Sequence, residues 1–226
     1  MDIPSIETWA RSRMADADDS PMERGYRLHH GERVGAIAAS LARRLDAGGT
    51  SPDIYRVAGL LHDIGKAGYR GPEPHGPRGA QIVRAEAAQW FEPAELALVC
   101  LMVENHYARP LSRWYEGVEK PVWPLPVLIM QDADLIDHFG ANYLWITINH
   151  GRRDGLSPAG LLAIRNEPGA RRGEGWVRDC LRSLNFEESR AEVVRRQRLA
   201  DAFYAEVALG PEGGLGAPAA GDGGPP

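Results

Sequence analysis

The amino-acid sequence predicts an all-α fold, arranged as a single helical bundle. Several segments repeat apolar residues at spacings of three and four, which is the period of one helix face. A serine followed by proline, a strong helix-start signal, recurs at 51–52 and at 157–158. No segment alternates convincingly as a strand would; LWITIN at 144–149 is the nearest example, and it adjoins a helical pattern. We therefore expect helices that pack on helices.

The individual helices follow from start and stop signals along the chain. The first has an apolar face and ends before Gly48–Gly49, and Ser51–Pro52 opens the second. Residues 68–79 hold four glycines and three prolines, so we predict a loop there, and Pro93 starts the fourth helix. The predicted helices cover 28–45, 52 to the LLHDIGK motif at 60–66, a segment that includes 82–90, 94–106, 126–149 with a bend at Gly140, a segment from 158, and 185–207.

The chain is long enough for one well-buried domain and little more. We expect a partly helical N-terminal segment at 1–25, a helical domain at 26–207 and a disordered tail at 208–226. From 209 to the end, seven of the 18 residues are glycine and four are proline. Such a composition cannot bury enough surface to offset the entropy of ordering.

A long connection at 107–126 joins the fourth and fifth predicted helices. It carries Trp114, Tyr115 and Trp123. These rings could stack on a substrate and close a site, or they could anchor the connection to the bundle, and both interpretations stay open.

Charge and cysteine content argue against several classes of protein, including nucleic-acid binders and disulfide-stabilised folds. The formal net charge is -5 and the sequence pI is about 5.8, which argues against a nucleic-acid polymer as the main partner. Cys100 and Cys180 form no CxxC pair, so neither a disulfide framework nor a thiolate zinc site is supported. The sequence shows no leader-like start and no apolar run of about 18 residues. We expect a cytoplasmic protein without a membrane partner, and we leave a homodimer open.

Helix phase selects the histidines and acids that face the core. Counting back by fours and threes along the apolar face of the first helix reaches His30 and not His29. The same test places His106 on the inward face of the fourth helix. In the fifth helix the phase is less decisive, and it favours Asp134 over Asp132.

Several ionisable groups would then share one core. A lone inward histidine is more often a satisfied core residue than a ligand, but a buried set is costly unless its members pair or share a cation. Imidazole nitrogen with carboxylate oxygen suits Mn, Fe, Zn, Co or Ni better than Ca or Mg. We therefore expect a metal site between the helices. The set consists of His30, His62, Asp63, His106 and Asp134.

The order of these residues resembles the HD-domain metal-dependent phosphohydrolase superfamily over roughly residues 26–145. An HD dipeptide alone is weak evidence, whereas the ordered set H…HD…H…H…D, with a helix under each member, is strong. The motifs that carry the resemblance are HGERV at 30–34, LLHDIGK at 60–66, HGPRGA at 75–80 and QDADLIDHFGA at 131–141.

The resemblance implies a role for each matching residue. Lys66 would contact the scissile phosphate, and Asp63 would both bind metal and orient or deprotonate the attacking water. Three basic residues beside the ligand positions could bind phosphate or could simply be solvated; they are Arg33, Arg78 and Arg109. The first metal would be held by His30, His62, Asp63 and Asp134, while His75 and His106 would hold a second metal or touch substrate phosphate.

The expected activity is hydrolysis of a small phosphate ester or anhydride, most of all a nucleotide, by metal-activated water. The cofactor would be Mn, Fe, Ni, Co or Zn, as one ion or as a binuclear centre. Two alternatives stay open. One is a di-iron oxygenase of the HD-domain type that acts on an organophosphonate or a polyol. The other is a non-catalytic module that binds a metal or a nucleotide.

Overall fold

The computed structural model describes residues 1–14, 25–69, 74–109, 122–167 and 174–209. These residues contain helices and no β-strand, which confirms the predicted all-α class. The α-helices are α1 (Ile3–Met14), α2 (Tyr26–Arg44), α3 (Pro52–Leu61), α4 (His75–Glu86), α5 (Pro93–Asn105), α6 (Leu125–Asp137), α7 (Ala141–Arg153), α8 (Pro158–Asn166), α9 (Glu174–Ser183) and α10 (Glu187–Leu209). Short 3-10 turns lie at Ile64–Lys66 and Ala88–Trp90.

The helices α2 and α3 form the central pair of the bundle. The helix α6 packs on α2, α5 packs on α3, and α4 lies against α5 and the 3-10 turn that follows α3. One hydrophobic core runs through these helices and α1, while smaller clusters join α6 and α7 to α9 and α10. The segments that carry the predicted ligands therefore surround one region of the core.

Glycines let α2 and α3 touch backbone to backbone. A Cβ atom at Gly31 would lie 2.6 Å from the carbonyl oxygen of Leu60, and one at Gly59 would collide with the Cα of Gly35. Only residues without a side chain allow this approach. It brings His30 and the C-terminal end of α3 next to each other.

The predicted fifth helix at 126–149 is wrong as one element, because it consists of α6 and α7. Gly140 has φ 76° and ψ -141°, a conformation that favours glycine and that ends the helical path. The LWITIN segment lies within α7. The break turns the chain back, so that Asn142 in the first turn of α7 contacts the end of α6.

Three further predicted boundaries are wrong. The predicted loop at 68–79 ends earlier, since α4 begins at His75, where its backbone packs against Gly65. The helix that was expected to include Trp90 ends at Glu86, and Trp90 closes a separate 3-10 turn. The second predicted helix ends at Leu61, before the HD pair.

The N-terminal end of α10 is fastened to α6 through Asp132. This carboxylate is fully buried and accepts hydrogen bonds from the backbone N–H groups of Asn185, at 2.9 Å, and Phe186, at 3.1 Å. The side-chain amide of Asn185 donates a third, at 2.8 Å. Burial raises the pKa of Asp132 even though these bonds favour its ionised form. Asp132 thus joins α6 to the segment that begins α10.

Replacing Asp132 with alanine is expected to lower the free energy of unfolding by about 3 kcal/mol, because buried N–H donors lose a charged acceptor. Urea unfolding followed by circular dichroism measures this change. The exposed Asp179 is the control, and Asp179→Ala should leave the unfolding midpoint nearly unchanged. Equal midpoints for the two variants would contradict the role of Asp132.

Several sequence-based predictions fall partly outside the described residues. Trp114 and Tyr115 lie there, whereas Trp123 is partly buried and packs against the core, which favours anchoring for this one ring. The disordered tail was predicted from 208, but α10 extends to Leu209, and 210–226 lie outside the described residues. Within the part of the chain that the structure describes, no helix is long and apolar enough to cross a bilayer.

Candidate metal centre

The HD pair sits in the turn that follows α3. His62 caps the C-terminal end of α3, and Asp63 precedes the 3-10 turn Ile64–Lys66. This turn is locked to α4, because Arg78 donates from Nη1 to the carbonyl oxygen of Gly65 at 2.5 Å. The helix path ends here, so adjacent side chains that would diverge along a helix can both face the same centre.

Three side chains from three elements form the first ligand group. His30 Nε2 lies 3.2 Å from Asp134 Oδ1 and 3.2 Å from His62 Nε2, and His62 Nε2 lies 3.7 Å from Asp134 Oδ1. All three residues are buried. Their nitrogen and oxygen atoms are close enough together to bind one ion.

A second ligand group shares His62 with the first and is centred on Asp63. The Oδ1 atom of Asp63 lies 3.5 Å from His62 Nε2, 3.2 Å from His75 Nε2 and 3.6 Å from His106 Nε2. His75 and His106 approach each other to 2.8 Å through their Nε2 atoms. The structure therefore brings all six predicted ligands together.

Backbone carbonyls set the tautomer of two of these histidines. His62 Nδ1 lies 2.6 Å from the carbonyl oxygen of Gly59, and His106 Nδ1 lies 2.7 Å from that of Val103. A carbonyl only accepts, so each Nδ1 must carry the proton, and in the neutral ring each Nε2 keeps a lone pair that faces the centre. Each of these lone pairs needs a partner opposite it, either the N–H group of a neighbouring ring or a metal ion.

One buried carboxylate atom is left for such a cation. Asp63 Oδ1 accepts no hydrogen bond of regular geometry, although Lys66 Nζ lies 2.7 Å away. A buried acceptor without good partners is costly. Nitrogen and oxygen ligands from both groups suit a divalent transition metal, and the residues present therefore fit one.

The electrostatics of the site keep its ligands ready to coordinate. Burial lowers the pKa of His62 to about 3 and that of His75 to about 4, so both rings are neutral at pH 7. Burial would raise the pKa of Asp63 and Asp134, but the positive charges of Lys66 beside Asp63 and of Arg109 beside Asp134 hold both well below the usual range.

His30 behaves differently from the other histidines. Burial lowers its pKa, but hydrogen bonds to Asp134 and Asp137 outweigh burial and raise it to about 9. Without a metal, the His30 ring is therefore protonated at neutral pH. A metal ion would replace that proton, so metal binding is coupled to proton release.

The three arginines predicted at the site all contact protein groups. Arg33 pairs with Asp137 through Nε at 2.9 Å, and Arg109 pairs with Asp134 through Nη2 at 3.1 Å. Arg78 supports the turn after the HD pair and lies over the ring of Tyr69. Their immediate contacts thus hold ligands and loops in place.

Sequence reasoning missed four side chains around the centre. Arg27 Nη1 lies 3.6 Å from Asp63 Oδ2, and Tyr26 stacks parallel to the His30 ring at 6.0 Å. His138 Nε2 lies 3.7 Å from Asp134 Oδ1, and Asp137 is bonded to His30. Helical spacing could have found three of them, since Arg27 precedes His30 by three, and Asp137 and His138 follow Asp134 by three and four.

Comparisons with known proteins agree with the helical fold described above. The family model of the HD domain matches residues 27–138. A predicted HD superfamily hydrolase from an uncultured Thermotogales bacterium is 18% identical, with a TM-score of 0.59 over 92% of this chain and 91% of that one. An HD-superfamily hydrolase from Bacillus thuringiensis is 20% identical, with a TM-score of 0.60 over 92% and 95%.

Bacillus subtilis YpgQ, solved in complex with ADP, is 14% identical, with a TM-score of 0.58 over 90% of this chain and 92% of that one. At these identities the likeness shows a shared fold. No curated protein matches the chain. The match to the family model shows that residues 27–138 of the chain belong to the HD-domain family.

Proposed function

We propose that this protein is a metal-dependent phosphohydrolase whose substrate is a small phosphate ester or anhydride of the nucleotide class. The observation that carries the proposal is the place of Asp63, where one buried carboxylate oxygen faces three histidine Nε2 atoms and a lysine. The first metal would be held by His30, His62, Asp63 and Asp134, and a second by Asp63, His75 and His106.

A divalent transition metal held there would lower the pKa of a water molecule toward 7 and would polarise a phosphoryl oxygen. Asp63, ionised at neutral pH, would orient the attacking water. The metal would be Mn, Fe, Ni, Co or Zn, since all of these accept imidazole and carboxylate together.

Two positive side chains lie beside the carboxylate of Asp63. Lys66 Nζ lies 2.8 Å from Asp63 Oδ2, and about a third of its side chain (34%) is exposed. Arg27 lies near the same carboxylate oxygen. Two cations beside a metal site would neutralise charge that develops on phosphoryl oxygens during hydrolysis.

Two kinds of observation support a nucleotide. The half-buried rings of Tyr26 and Tyr107 flank the ligand histidines, at 6.0 Å from His30 and 5.8 Å from His106. Aromatic rings beside a phosphate site suit a ligand that carries a base. Among proteins of this fold, YpgQ was solved with ADP bound.

The test pairs metal analysis with a substrate screen. Protein purified without chelators is analysed for bound metal, and phosphate or pyrophosphate release is measured over nucleotides and other phosphate esters with Mn, Fe, Co, Ni, Zn and Mg supplied. We expect bound transition metal and turnover of at least one nucleotide. Stoichiometric di-iron with substrate-dependent oxygen uptake would instead establish an oxygenase, and neither metal nor turnover would establish a non-catalytic module.

Lys66→Met is expected to lower kcat about 100-fold and to leave the metal content unchanged, because one charged donor to the transition state is lost while the ligands remain. Initial rates and metal stoichiometry are measured on the same preparation. The control is Arg56→Met, which removes an exposed cation from α3 and should retain the full rate. Unchanged kcat in Lys66→Met would contradict the assigned role.

A further inference from the structure

Asp137 is a buried carboxylate that contacts one of the predicted metal ligands, His30. It is the last residue of α6 and is 1% exposed. Its Oδ2 atom lies 2.7 Å from Nδ1 of His30, on the side of the ring opposite the Nε2 atom that faces Asp134 and His62. Asp137 therefore contacts a ligand and not the centre itself.

Two further side chains hold this carboxylate in place. Arg33, one turn after His30 on α2, donates from Nε to Oδ1 at 2.9 Å and from Nη2 to Oδ2 at 3.1 Å. Asn142 donates from Nδ2 to Oδ2 at 3.0 Å and to the backbone carbonyl of Asp137 at 2.7 Å. The turn at Gly140 makes the Asn142 contact possible. Side chains of α2 and α7 thus hold the carboxylate in one orientation.

His30 differs from His62 and His106 in the group that accepts a hydrogen bond from its Nδ1 atom. Those two donate from Nδ1 to a backbone carbonyl at the end of their own helix, so their orientation follows from local structure. His30 is the fifth residue of α2, where the backbone carbonyls accept hydrogen bonds within the helix, and its partner comes from a distant segment. A charged acceptor on Nδ1 also makes the opposite nitrogen a better donor of its lone pair.

We propose that Asp137 is a positioning residue, which fixes the tautomer and ring orientation of His30 and so sets the affinity of the His30–His62–Asp134 group for a divalent transition metal. The proposal rests on the metal site of the proposed function. It assigns Arg33, which the sequence suggested as a phosphate contact, to holding Asp137.

The chain offers a matched control for the test. Asp132 and Asp137 are both buried aspartates of α6, but Asp132 bonds to backbone N–H groups at the start of α10 and Asp137 to a ligand histidine. The full-length wild type, Asp137→Asn and Asp132→Asn are freed of metal with a chelator and titrated with Co²⁺ in a calorimeter. Thermal unfolding is recorded for each metal-free protein.

We expect Asp137→Asn to weaken Co²⁺ binding about 10- to 100-fold. Asp132→Asn should lower the thermal midpoint and leave the Co²⁺ affinity within about threefold of wild type. In the Zn²⁺-loaded wild type, a slowly exchanging Nδ1–H proton of His30 should appear in the proton NMR spectrum, and Asp137→Asn should lose it. Arg33→Met, at a side chain that is 41% exposed, should weaken Co²⁺ binding in the same direction and tests the idea even where Asp137→Asn fails to fold.

The proposal is overturned when Asp137→Asn, or Arg33→Met in its place, binds Co²⁺ as tightly as wild type, or when the two aspartate variants weaken binding equally. A wild type that binds no Co²⁺ overturns both this proposal and the proposed function. A wild type that binds Co²⁺ with the expected difference between variants, yet releases no phosphate from any substrate, overturns the proposed function alone.

Discussion

Asp63→Asn is expected to abolish hydrolysis, with a loss of at least about 1,000-fold in rate, and to remove metal from the centre. The amide keeps the size of the side chain but loses the charge that lies within 3.6 Å of three histidine Nε2 atoms. Asp63 also belongs to the ligand set of both proposed metals, so no other residue can replace it.

Metal stoichiometry and the initial rate of phosphate release measure this effect on the same preparation. The exposed Asp53, in the first turn of α3, supplies the control, and Asp53→Asn should keep both the metal and the rate. Circular dichroism should show equal helix content in the two variants. Wild-type metal content and turnover in Asp63→Asn would refute the assignment of the centre.

Gly59→Ala is expected to lower the free energy of unfolding by about 3 kcal/mol. The new Cβ would collide with backbone atoms of Gly35, and no rotamer change can relieve a clash with backbone. The helices α2 and α3 must separate, which moves His30 on one helix and His62 at the end of the other. We therefore expect weaker metal binding together with lower stability.

Gly48→Ala is the matched control, because a Cβ there would meet its nearest atom only at 3.9 Å and the residue does not need a positive φ. Its stability should stay within about 0.5 kcal/mol of wild type. Urea unfolding of the metal-free proteins compares the two variants. A wild-type midpoint for Gly59→Ala would mean that the close helix crossing does not contribute to stability.

The fold class could be predicted from the sequence because helical periodicity is a local property. The start of α3 at Ser51–Pro52 and that of α8 at Ser157–Pro158 come from capping and proline geometry, and both agree with the structure. The break at Gly140 could be predicted only as a bend. Whether a glycine bends a helix or divides it depends on what the chain packs against afterwards, here the contact of Asn142 with Asp137.

The choice of inward histidines also came from local phase. His30 is buried and His29 is exposed, as the apolar face of α2 predicts. Phase favoured Asp134 over Asp132 without deciding between them, and in the structure Asp132, Asp134 and Asp137 are all buried. The three aspartates differ in their partners, which lie far away in sequence. Asp132 bonds to the start of α10, while Asp134 and Asp137 contact opposite nitrogens of His30.

Sequence patterns were enough to predict the helical class, the family resemblance and the six side chains that lie together at the centre. Tertiary packing was needed to show which of them share a group, which cations lie beside the carboxylates, and that Asp137, held by Arg33, contacts His30 at Nδ1. The difference lies in how far along the chain each interaction reaches. Periodicity and caps act over a few residues, whereas the pairing of His30 with Asp137 spans 107 positions and exists only after the helices pack.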